Sequence, residues 1–356
     1  MKIVMATGGS GGHIFPALNV ARELKIQGHE VVWVGVFGVF SARIKDAGFF
    51  SVNLSARGIS FASWSACCRT LGAMAKAMGE SWSALKKIRP DAVAGFGGYG
   101  AFPVILAAAG LRYPTLIHEQ NVVPGKANRV LSYFVDRIAL TFPESRPYFP
   151  PHKTAVTGCP CHAREPHSGK EELRREFCLD RNKPTILVLG GSQGSRRINA
   201  EFMQTLGLLR REMEFQVIHI SGKNDAQDLK NQYREQSVQA ALFEFLDDMG
   251  KAYGACDVIA ARAGASTILE IAKFKLPAVL IPYPFAGGHQ KENALLLCRT
   301  GQARMIEEKD LTPGSLARNL VELLQQKSGE KKKQSEELVV PDAAGRIARE
   351  IISLKR

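Results

Sequence analysis

Two glycine-rich stretches, one in each half of the chain, carry the residues best suited to chemistry. Residues 8–13 have the sequence GGSGGH and follow an apolar run that begins at Lys2, and residues 190–194 have the sequence GGSQG after a second apolar run. A glycine-rich turn between a strand and a helix offers backbone amides and a positive dipole end, which suit a phosphate or diphosphate. His13 closes the first stretch. Because a helix N-terminus lowers the pKa of a histidine, His13 is a candidate proton acceptor near pH 7.

The common nucleotide-binding motifs are missing from the sequence. The pattern G-x-G-x-x-G cannot be placed on residues 8–14, and the strand expected after the first helix lacks the acid that would hold a ribose. Neither G-x-x-x-x-G-K-[ST] nor Asp-x-Asp occurs, and the adjacent Asp247 and Asp248 would point apart on a strand. Diphosphate binding by helix N-termini without a metal is therefore expected in both halves. Two such sites suit a transferase that holds two phosphorylated substrates at once.

The elements that must position these turns repeat in the same order in both halves. Short apolar runs alternate with segments of helical period, and the pattern restarts at residues 184–195, PTILVLGGSQGS. This alternation predicts an α/β fold: two Rossmann-like, doubly wound parallel-sheet domains facing across a cleft. We place the domains at residues 1–158 and 159–340, and we allow the terminal helix, residues 341–356, to pack back on the first domain. The first helix is expected to start near Pro16, a favourable first-turn residue.

Composition limits the partners and the compartment. Lys and Arg number 47 against 34 Asp and Glu, so the surface attracts anions, but basic runs interleaved with aromatics, typical of nucleic-acid binding, are missing. Residues 92–111 are uncharged over the length of a membrane span, yet their glycines and Pro103 indicate a strand, a turn and a helix instead. The seven cysteines are scattered and no signal peptide precedes the first strand, which favours reduced thiols in the cytoplasm.

A cluster near the domain connection contains residue types that could bind a metal. It comprises Cys159, Cys161, His162 and His167. The cysteine pair is spaced more closely than in a structural zinc site, so we expect a loop with incidental thiols and no metal.

The segment 59–85 has an apolar stripe at helical period with basic residues beside it. The stripe includes Phe61, Trp64, Trp82 and Leu85. Two interpretations are open: a helix whose apolar face packs in the core, or an amphipathic patch that rests on an anionic membrane surface.

Seven stretches, in order along nearly the whole chain, resemble the MurG family of glycosyltransferases. They are GGSGGHIFPAL, GFGGYGAFP, HEQN, LGGSQGSRRIN, EFLDDM, RAGASTILEIA and HQKENA. The resemblance implies a GT-B-type, inverting enzyme without metal or cofactor. Such an enzyme moves N-acetylglucosamine from UDP-N-acetylglucosamine (UDP-GlcNAc) to lipid I, the undecaprenyl-linked muramyl-pentapeptide pyrophosphate, and forms lipid II for peptidoglycan. It also implies the cytoplasmic face of the bacterial membrane, an anionic surface, cell-wall synthesis proteins as neighbours, and hence the membrane interpretation of segment 59–85.

The resemblance also assigns roles to individual residues. In the second domain it implies that Ser192 and the amides of Ala265, Ser266 and Thr267 bind the donor diphosphate, Glu270 the ribose, the Leu246 backbone the uracil, and Gln290 the sugar. Ser10, Gly11, Gly12 and Asn121 would close the donor site from the first domain. The turns at residues 8–12 and 97–100 would bind the acceptor pyrophosphate. His13 is the expected general base, with His118 or Glu119 as alternatives.

One position departs from the family pattern. Where the family has Gly-Asn-Pro-Val-Arg, this chain has GCPCH at residues 158–162, so His162 replaces an arginine implied to reach the donor phosphate. Arg164, two residues further on, is an alternative cation. Two other functions fit parts of the sequence: a UDP-N-acetylglucosamine 2-epimerase, which needs no acceptor, and a non-enzymatic membrane-binding or nucleotide-sensing protein.

Overall fold

The computed structural model describes residues 1–55, 64–191, 194–223, 225–285, 287–326 and 335–355, with backbone alone for residues 64–71. The chain divides into two compact units. Unit 1 comprises Met1–Pro160 together with Val340–Arg356, and unit 2 comprises Cys161–Val339.

The described part of unit 1 is built on a seven-stranded parallel sheet with the order β3-β2-β1-β4-β5-β6-β7. The strands are β1 (Lys2–Gly8), β2 (Glu30–Val36), β3 (Phe50–Asn53), β4 (Ala92–Gly95), β5 (Thr115–Glu119), β6 (Arg137–Leu140) and β7 (Thr154–Val156). The helices before the connection to unit 2 are α1 (Gly11–Ile26), α2 (Ser41–Asp46), α3 (Trp64–Ile88), α4 (Ala101–Gly110) and α5 (Lys126–Leu131).

The described part of unit 2 repeats this plan with six parallel strands in the order β10-β9-β8-β11-β12-β13. They are β8 (Thr185–Leu189), β9 (Gln216–Ile220), β10 (Ala240–Phe243), β11 (Val258–Ala261), β12 (Ala278–Leu280) and β13 (Ala303–Met305). The helices are α6 (Lys170–Glu176), α7 (Arg196–Glu212), α8 (Ala226–Glu235), α9 (Met249–Ala255), α10 (Ala265–Lys273), α11 (His289–Arg299) and α12 (Pro313–Gln325); a final helix, α13 (Ala343–Ile352), belongs to unit 1.

Helices cover both faces of the first sheet, which explains why its central strands are apolar throughout. On one face α1 packs with α13, whose Ile347, Ala348 and Ile351 are fully buried in the same core as β1. On the other face α3 and α4 cover the sheet, and Leu85 of α3 is fully buried. An ion pair of 3.0 Å between Arg137 and Glu350 also ties α13 to β6.

The predicted parallel-sheet architecture is confirmed, and residues 92–111 form β4, a glycine turn and α4. The predicted start of the first helix is wrong. Helix α1 begins at Gly11, because the carbonyl of Ser10 accepts hydrogen bonds from the amides of His13 and Ile14. His13 therefore lies inside the first helical turn. None of the described helices is both long enough and apolar enough to cross a bilayer.

The stripe in segment 59–85 is described only in part. Residues 59–63 and the side chains of Trp64, Cys68 and Leu71 lie outside the described residues. In the described portion Leu85 is in the core, while Trp82 is 38% exposed. The core interpretation therefore holds for Leu85 and not for Trp82.

Candidate active site

The order of strands reverses direction between β1 and β4 in unit 1 and between β8 and β11 in unit 2. In open parallel sheets, ligands bind beside the carboxyl ends of the strands at such a point. Both glycine-rich stretches start there. Gly8 ends β1 and residues 9–12 follow it, and residues 190–194 follow β8.

In unit 1 the loops after β1 and β4 pack backbone against backbone. Gly98 has a φ of +77°, and a Cβ atom there would lie 1.9 Å from the carbonyl oxygen of Gly8. A Cβ atom on Gly8 would lie 2.7 Å from the carbonyl oxygen of Val36. Close packing of the loops thus accounts for these glycines without a ligand, and their role toward a pyrophosphate stays a prediction.

The residues Ser10, Gly11 and Gly12 form the N-terminus of α1. Ser10 is the N-cap in an extended conformation, and its side chain forms no capping hydrogen bond. Gly11 is buried, Ser10 is half-buried and Gly12 is exposed. The positive end of the 16-residue helix α1 is therefore accessible at Ser10 and Gly12.

The imidazole of His13 lies against the loop after β4. A Cβ atom on Gly97 would come within 2.9 Å of His13 Nδ1, and this nitrogen is buried without a hydrogen-bond partner among the described residues. Burial lowers the pKa of His13 below its ordinary 6.5; the charge of Glu119 and the neighbouring Gln120 and Phe96 act more weakly in the opposite direction. His13 is consequently neutral near pH 7, as a proton acceptor must be.

Glu119, one of the two alternative bases, is fully engaged in holding a loop. Its Oε1 accepts hydrogen bonds from the backbone and side-chain nitrogens of Asn121, at 2.9 and 3.1 Å. Its Oε2 accepts from Asn128 Nδ2 at 2.8 Å and from the amide of Gly125 at 3.2 Å. A carboxylate that is 2% exposed and accepts four hydrogen bonds organises residues 121–128 and has little capacity left for a substrate proton. Asn128 was missed by sequence reasoning.

His118, the other alternative, is 1% exposed and faces the connection between the units. Its Nε2 lies 3.1 Å from the carbonyl oxygen of Gly158, which fixes this nitrogen as the donor. Burial lowers the pKa of His118 to about 4, so the ring is neutral. Its buried position and its bond to Gly158 indicate a structural role.

In unit 2 the loop after β8 contains Ser192, which lies outside the described residues. The flanking glycines are held tightly: a Cβ atom on Gly190 would lie 2.2 Å from the amide of Ser195, and one on Gly194 would lie 2.2 Å from the carbonyl oxygen of Ser221. Ser195 is the N-cap of α7 and accepts a hydrogen bond from the amide of Ile198 at 3.4 Å.

Ala265, Ser266 and Thr267 form the first turn of α10, so the predicted helix start is confirmed, while their contact with a diphosphate stays a prediction. The N-cap is Gly264, which has no side chain to cap the first-turn amides. Leu246 is half-buried in the loop between β10 and α9.

Glu270 is directed toward the connection in this structure. Its Oε1 accepts from the amide of Ala163 at 3.1 Å, and its Oε2 accepts from the hydroxyl of Tyr253 at 3.0 Å. Burial raises its pKa above the ordinary value, more than these bonds and the nearby Lys273 lower it. Binding of ribose by Glu270 stays a prediction, and Tyr253 is a neighbour that sequence reasoning missed.

Gln290 lies in the first turn of α11, and its side chain contacts the segment after β12. Gln290 Oε1 accepts from the amide of Tyr283 at 2.9 Å.

Arg164 has an exposed side chain, and its carbonyl packs on Gly250, where a Cβ atom would lie 1.9 Å away. Burial raises the pKa of the Cys161 thiol to about 12. Among the described residues, no group of three or more His, Cys, Asp or Glu side chains is arranged to hold a metal ion.

Comparison with known proteins gives the class. The chain matches the glycosyltransferase family 28 N-terminal domain over residues 3–140 and the family 28 C-terminal domain over residues 185–347. Together with the two parallel sheets, these matches define a glycosyltransferase of the two-domain GT-B type.

Individual relatives narrow this class. The chain is 36% identical to a protein of Thermodesulfovibrio yellowstonii over 91% of this chain and 90% of the relative, and 35% identical to one of Citrifermentans bemidjiense over 99% of both. Each is named UDP-N-acetylglucosamine–N-acetylmuramyl-(pentapeptide) pyrophosphoryl-undecaprenol N-acetylglucosamine transferase. The crystal structure of Acinetobacter baumannii MurG is similar with a TM-score of 0.75 at 29% identity, covering 99% of both chains. The chain belongs to the MurG family.

A further structural likeness concerns the fold alone. The UDP-GlcNAc 2-epimerase of Methanocaldococcus jannaschii has a TM-score of 0.65 at 12% identity, covering 99% of this chain and 100% of the epimerase.

Proposed function

We propose that this protein transfers N-acetylglucosamine from UDP-GlcNAc to lipid I and releases UDP. The observation that carries the proposal is the similarity over almost the entire chain to relatives named for this reaction. In the reaction, the 4-hydroxyl oxygen of the muramyl residue forms a bond to the anomeric carbon. The bond from that carbon to the UDP oxygen breaks, the hydroxyl proton passes to a base, and the anomeric configuration inverts.

His13 is the proposed base. Its imidazole is neutral because burial lowers its pKa, and it lies in the first turn of α1 beside the accessible positions Ser10 and Gly12. Glu119 accepts four hydrogen bonds from its own loop, and the Nε2 atom of buried His118 is directed to Gly158. The geometry therefore favours His13 over both alternatives. Unit 1 would bind the acceptor, its pyrophosphate near the loops after β1 and β4.

Unit 2 would bind the donor. Ser192 and the first-turn amides of α10 would face the diphosphate, and the positive ends of α7 and α10 would stabilise the charge that develops on departing UDP. Leu246, Glu270 and Gln290 keep their proposed contacts with uracil, ribose and sugar. Asn121, whose side chain Glu119 holds, would contribute to the donor site from unit 1. Neither a metal nor a cofactor is assigned a step.

A peripheral contact with an anionic membrane on its cytoplasmic face is part of the proposal. It is supported by the net charge of +13 and by the exposed side chain of Trp82 on α3. The Nζ atom of Lys86 lies 5.8 Å from the centroid of the Trp82 ring. Lys76 and Lys87 on the same helix are also exposed. An exposed aromatic side chain with a cation beside it, on a helix with further exposed lysines, is typical of a membrane-interface patch. Other cell-wall synthesis proteins would be neighbours there.

The test is transfer of radiolabel from UDP-GlcNAc to a soluble lipid I analogue in the presence of EDTA. Labelled disaccharide product that depends on the acceptor supports the proposal. Conversion of the donor to its manno epimer without an acceptor would replace it with the epimerase. Donor binding without either reaction would leave a nucleotide-binding protein.

A further inference from the structure

Arg262 follows directly after β11, is 7% exposed, and was given no role by sequence reasoning. Its Nη2 donates to Ser195 Oγ at 2.8 Å, and its Nη1 donates to the carbonyl oxygens of Ile281 and Pro282, at 3.2 and 3.3 Å. The guanidinium also forms an ion pair with Glu308. One side chain thus contacts the loops that follow β8, β12 and β13.

The chemistry of these contacts requires an arginine. A buried cation is costly unless it is paired and hydrogen-bonded, and Glu308 supplies the charge while three oxygens supply the bonds. The planar guanidinium presents several donors in fixed directions, whereas a lysine ammonium on a flexible stem cannot match them. Arg262 therefore fixes the positions of its partners in the three loops relative to one another: Ser195, the backbone of Ile281 and Pro282, and Glu308.

One of these loops leads to Gln290, the proposed sugar-binding residue. The guanidinium carbon of Arg262 lies 5.3 Å from the ring centroid of Tyr283, and the amide of Tyr283 donates to Gln290 Oε1. Two further contacts hold α11 at the same edge. Asn293 Nδ2 donates to the carbonyl oxygen of Ala263 at 3.2 Å, and Lys291 pairs with Glu307 at 2.5 Å.

Another of these loops leads to the proposed diphosphate site. Ser195 caps α7 and packs against Gly190, so its position fixes the end of the loop that contains residues 190–194. The bond from Arg262 to Ser195 Oγ spans 67 residues of sequence, and it connects this loop to the side of the sheet where Tyr283 and Gln290 lie.

We infer that Arg262 is a positioning residue of the donor site. It holds Ser195, beside the proposed diphosphate site, and the backbone of Ile281 and Pro282, which leads to Tyr283 and Gln290, at one fixed separation, so that the diphosphate and sugar of a single donor are bound together. The inference rests on the proposed function in unit 2. It predicts that Arg262 matters more for the affinity added by the sugar than for binding of UDP, whose proposed uracil and ribose contacts at Leu246 and Glu270 are separate from the guanidinium.

The test compares Arg262→Lys and Arg262→Met with Arg304→Lys, a matched control whose arginine pairs with Glu322 at a partly exposed site of unit 2. The Kd values of UDP and UDP-GlcNAc are measured by calorimetry on the full chain, together with donor KM, kcat and Tm. For Arg262→Lys we expect the ratio of the UDP Kd to the UDP-GlcNAc Kd to fall about tenfold, as for loss of one or two hydrogen bonds. Donor KM should rise by a similar factor. For Arg262→Met, both the fall in the Kd ratio and the rise in donor KM should be larger.

A merely structural role would lower Tm and leave the ratio of the two Kd values unchanged, and that result would overturn the inference. Ser195→Ala removes one of the guanidinium's hydrogen bonds together with the N-cap bond from the amide of Ile198. It leaves Arg262 paired with Glu308 and keeps the test available if the arginine variants do not fold. It should shift the ratio in the same direction by less. If wild-type protein binds both nucleotides but transfers no sugar, the proposed function fails while the ratio still decides the role of Arg262. If wild type binds neither nucleotide, both are overturned.

Discussion

His13 and Gly97 are in direct contact: a single added carbon at Gly97 would come within 2.9 Å of His13 Nδ1. The absence of a side chain at residue 97 thus sets where the imidazole of the proposed base lies. Gly97 also has a φ of +81°, which side-chain-bearing residues rarely adopt.

Gly97→Ala should displace the His13 ring and therefore reduce kcat. The donor KM should change less than kcat, because the donor contacts proposed for unit 2 are untouched. Steady-state kinetics with a lipid I analogue measure this. The control is Gly79→Ala on α3, where the new carbon would meet no described atom within 4 Å apart from the neighbouring backbone of its own helix. Equal kcat for both variants would show that the contact has no bearing on catalysis.

His13→Ala should lower kcat by about 10²–10⁴-fold, the usual contribution of a general base, with the Kd of UDP-GlcNAc unchanged. In wild type, activity needs neutral His13, so kcat/KM should fall only as the pH drops through its lowered pKa, below the ordinary 6.5. His152→Ala, at an exposed histidine of the same unit, is the control. A loss of less than threefold for His13→Ala would exclude it as the base.

Glu119→Gln should destabilise unit 1 by about 1–3 kcal/mol, because an amide cannot accept all four of the hydrogen bonds that the carboxylate accepts. It should also move the acidic limb of the pH–rate profile to lower pH, since the charge of Glu119 raises the pKa of His13. Chemical denaturation and a pH profile measure the two effects. Glu144→Gln removes an equal charge at an exposed site and should produce neither.

His162→Arg should lower the donor KM, because it restores a permanent cation where the family has an arginine. The backbone next to it is held by Glu270 through the amide of Ala163, so the new side chain starts from a fixed position. His167→Arg adds the same charge at an exposed position and controls for general attraction of the donor. If the donor KM is unchanged, another cation already serves the diphosphate.

The buried side chain of His219 should make the stability of unit 2 sensitive to acid. Its ring is buried between Tyr233 and Asn199, and burial lowers its pKa from 6.5 to about 3. Between these pH values the unfolded chain binds a proton that the folded chain does not, so the free energy of unfolding should fall as the pH falls. His219→Gln should flatten this dependence in denaturant titrations, whereas His167→Gln should leave it unchanged.

Sequence patterns were enough for the fold, because parallel strands covered on both faces are apolar throughout and glycine turns and helix starts interrupt them at regular intervals. They also located the helix start at residues 265–267. The start of α1 was misplaced, since Pro16 is a favourable first-turn residue but the amides of His13 and Ile14 already bond to Ser10.

By itself, then, the sequence determined the two parallel sheets and the family, and it supplied the residues to which the proposed chemistry is assigned. The tertiary structure alone decided which polar side chains are occupied by the protein itself. From the sequence, Glu119 and His118 are candidate bases alongside His13. Only folding gives Glu119 its partner Asn128 and His118 its partner Gly158. Arg262 opens the stretch RAGASTILEIA, but the sequence gives no sign of its role, because its partners at Ser195, Ile281 and Glu308 are brought together by the strand order. Local propensity and periodicity act over a few residues, whereas the satisfaction of a buried charge depends on groups that only the packed sheet makes neighbours.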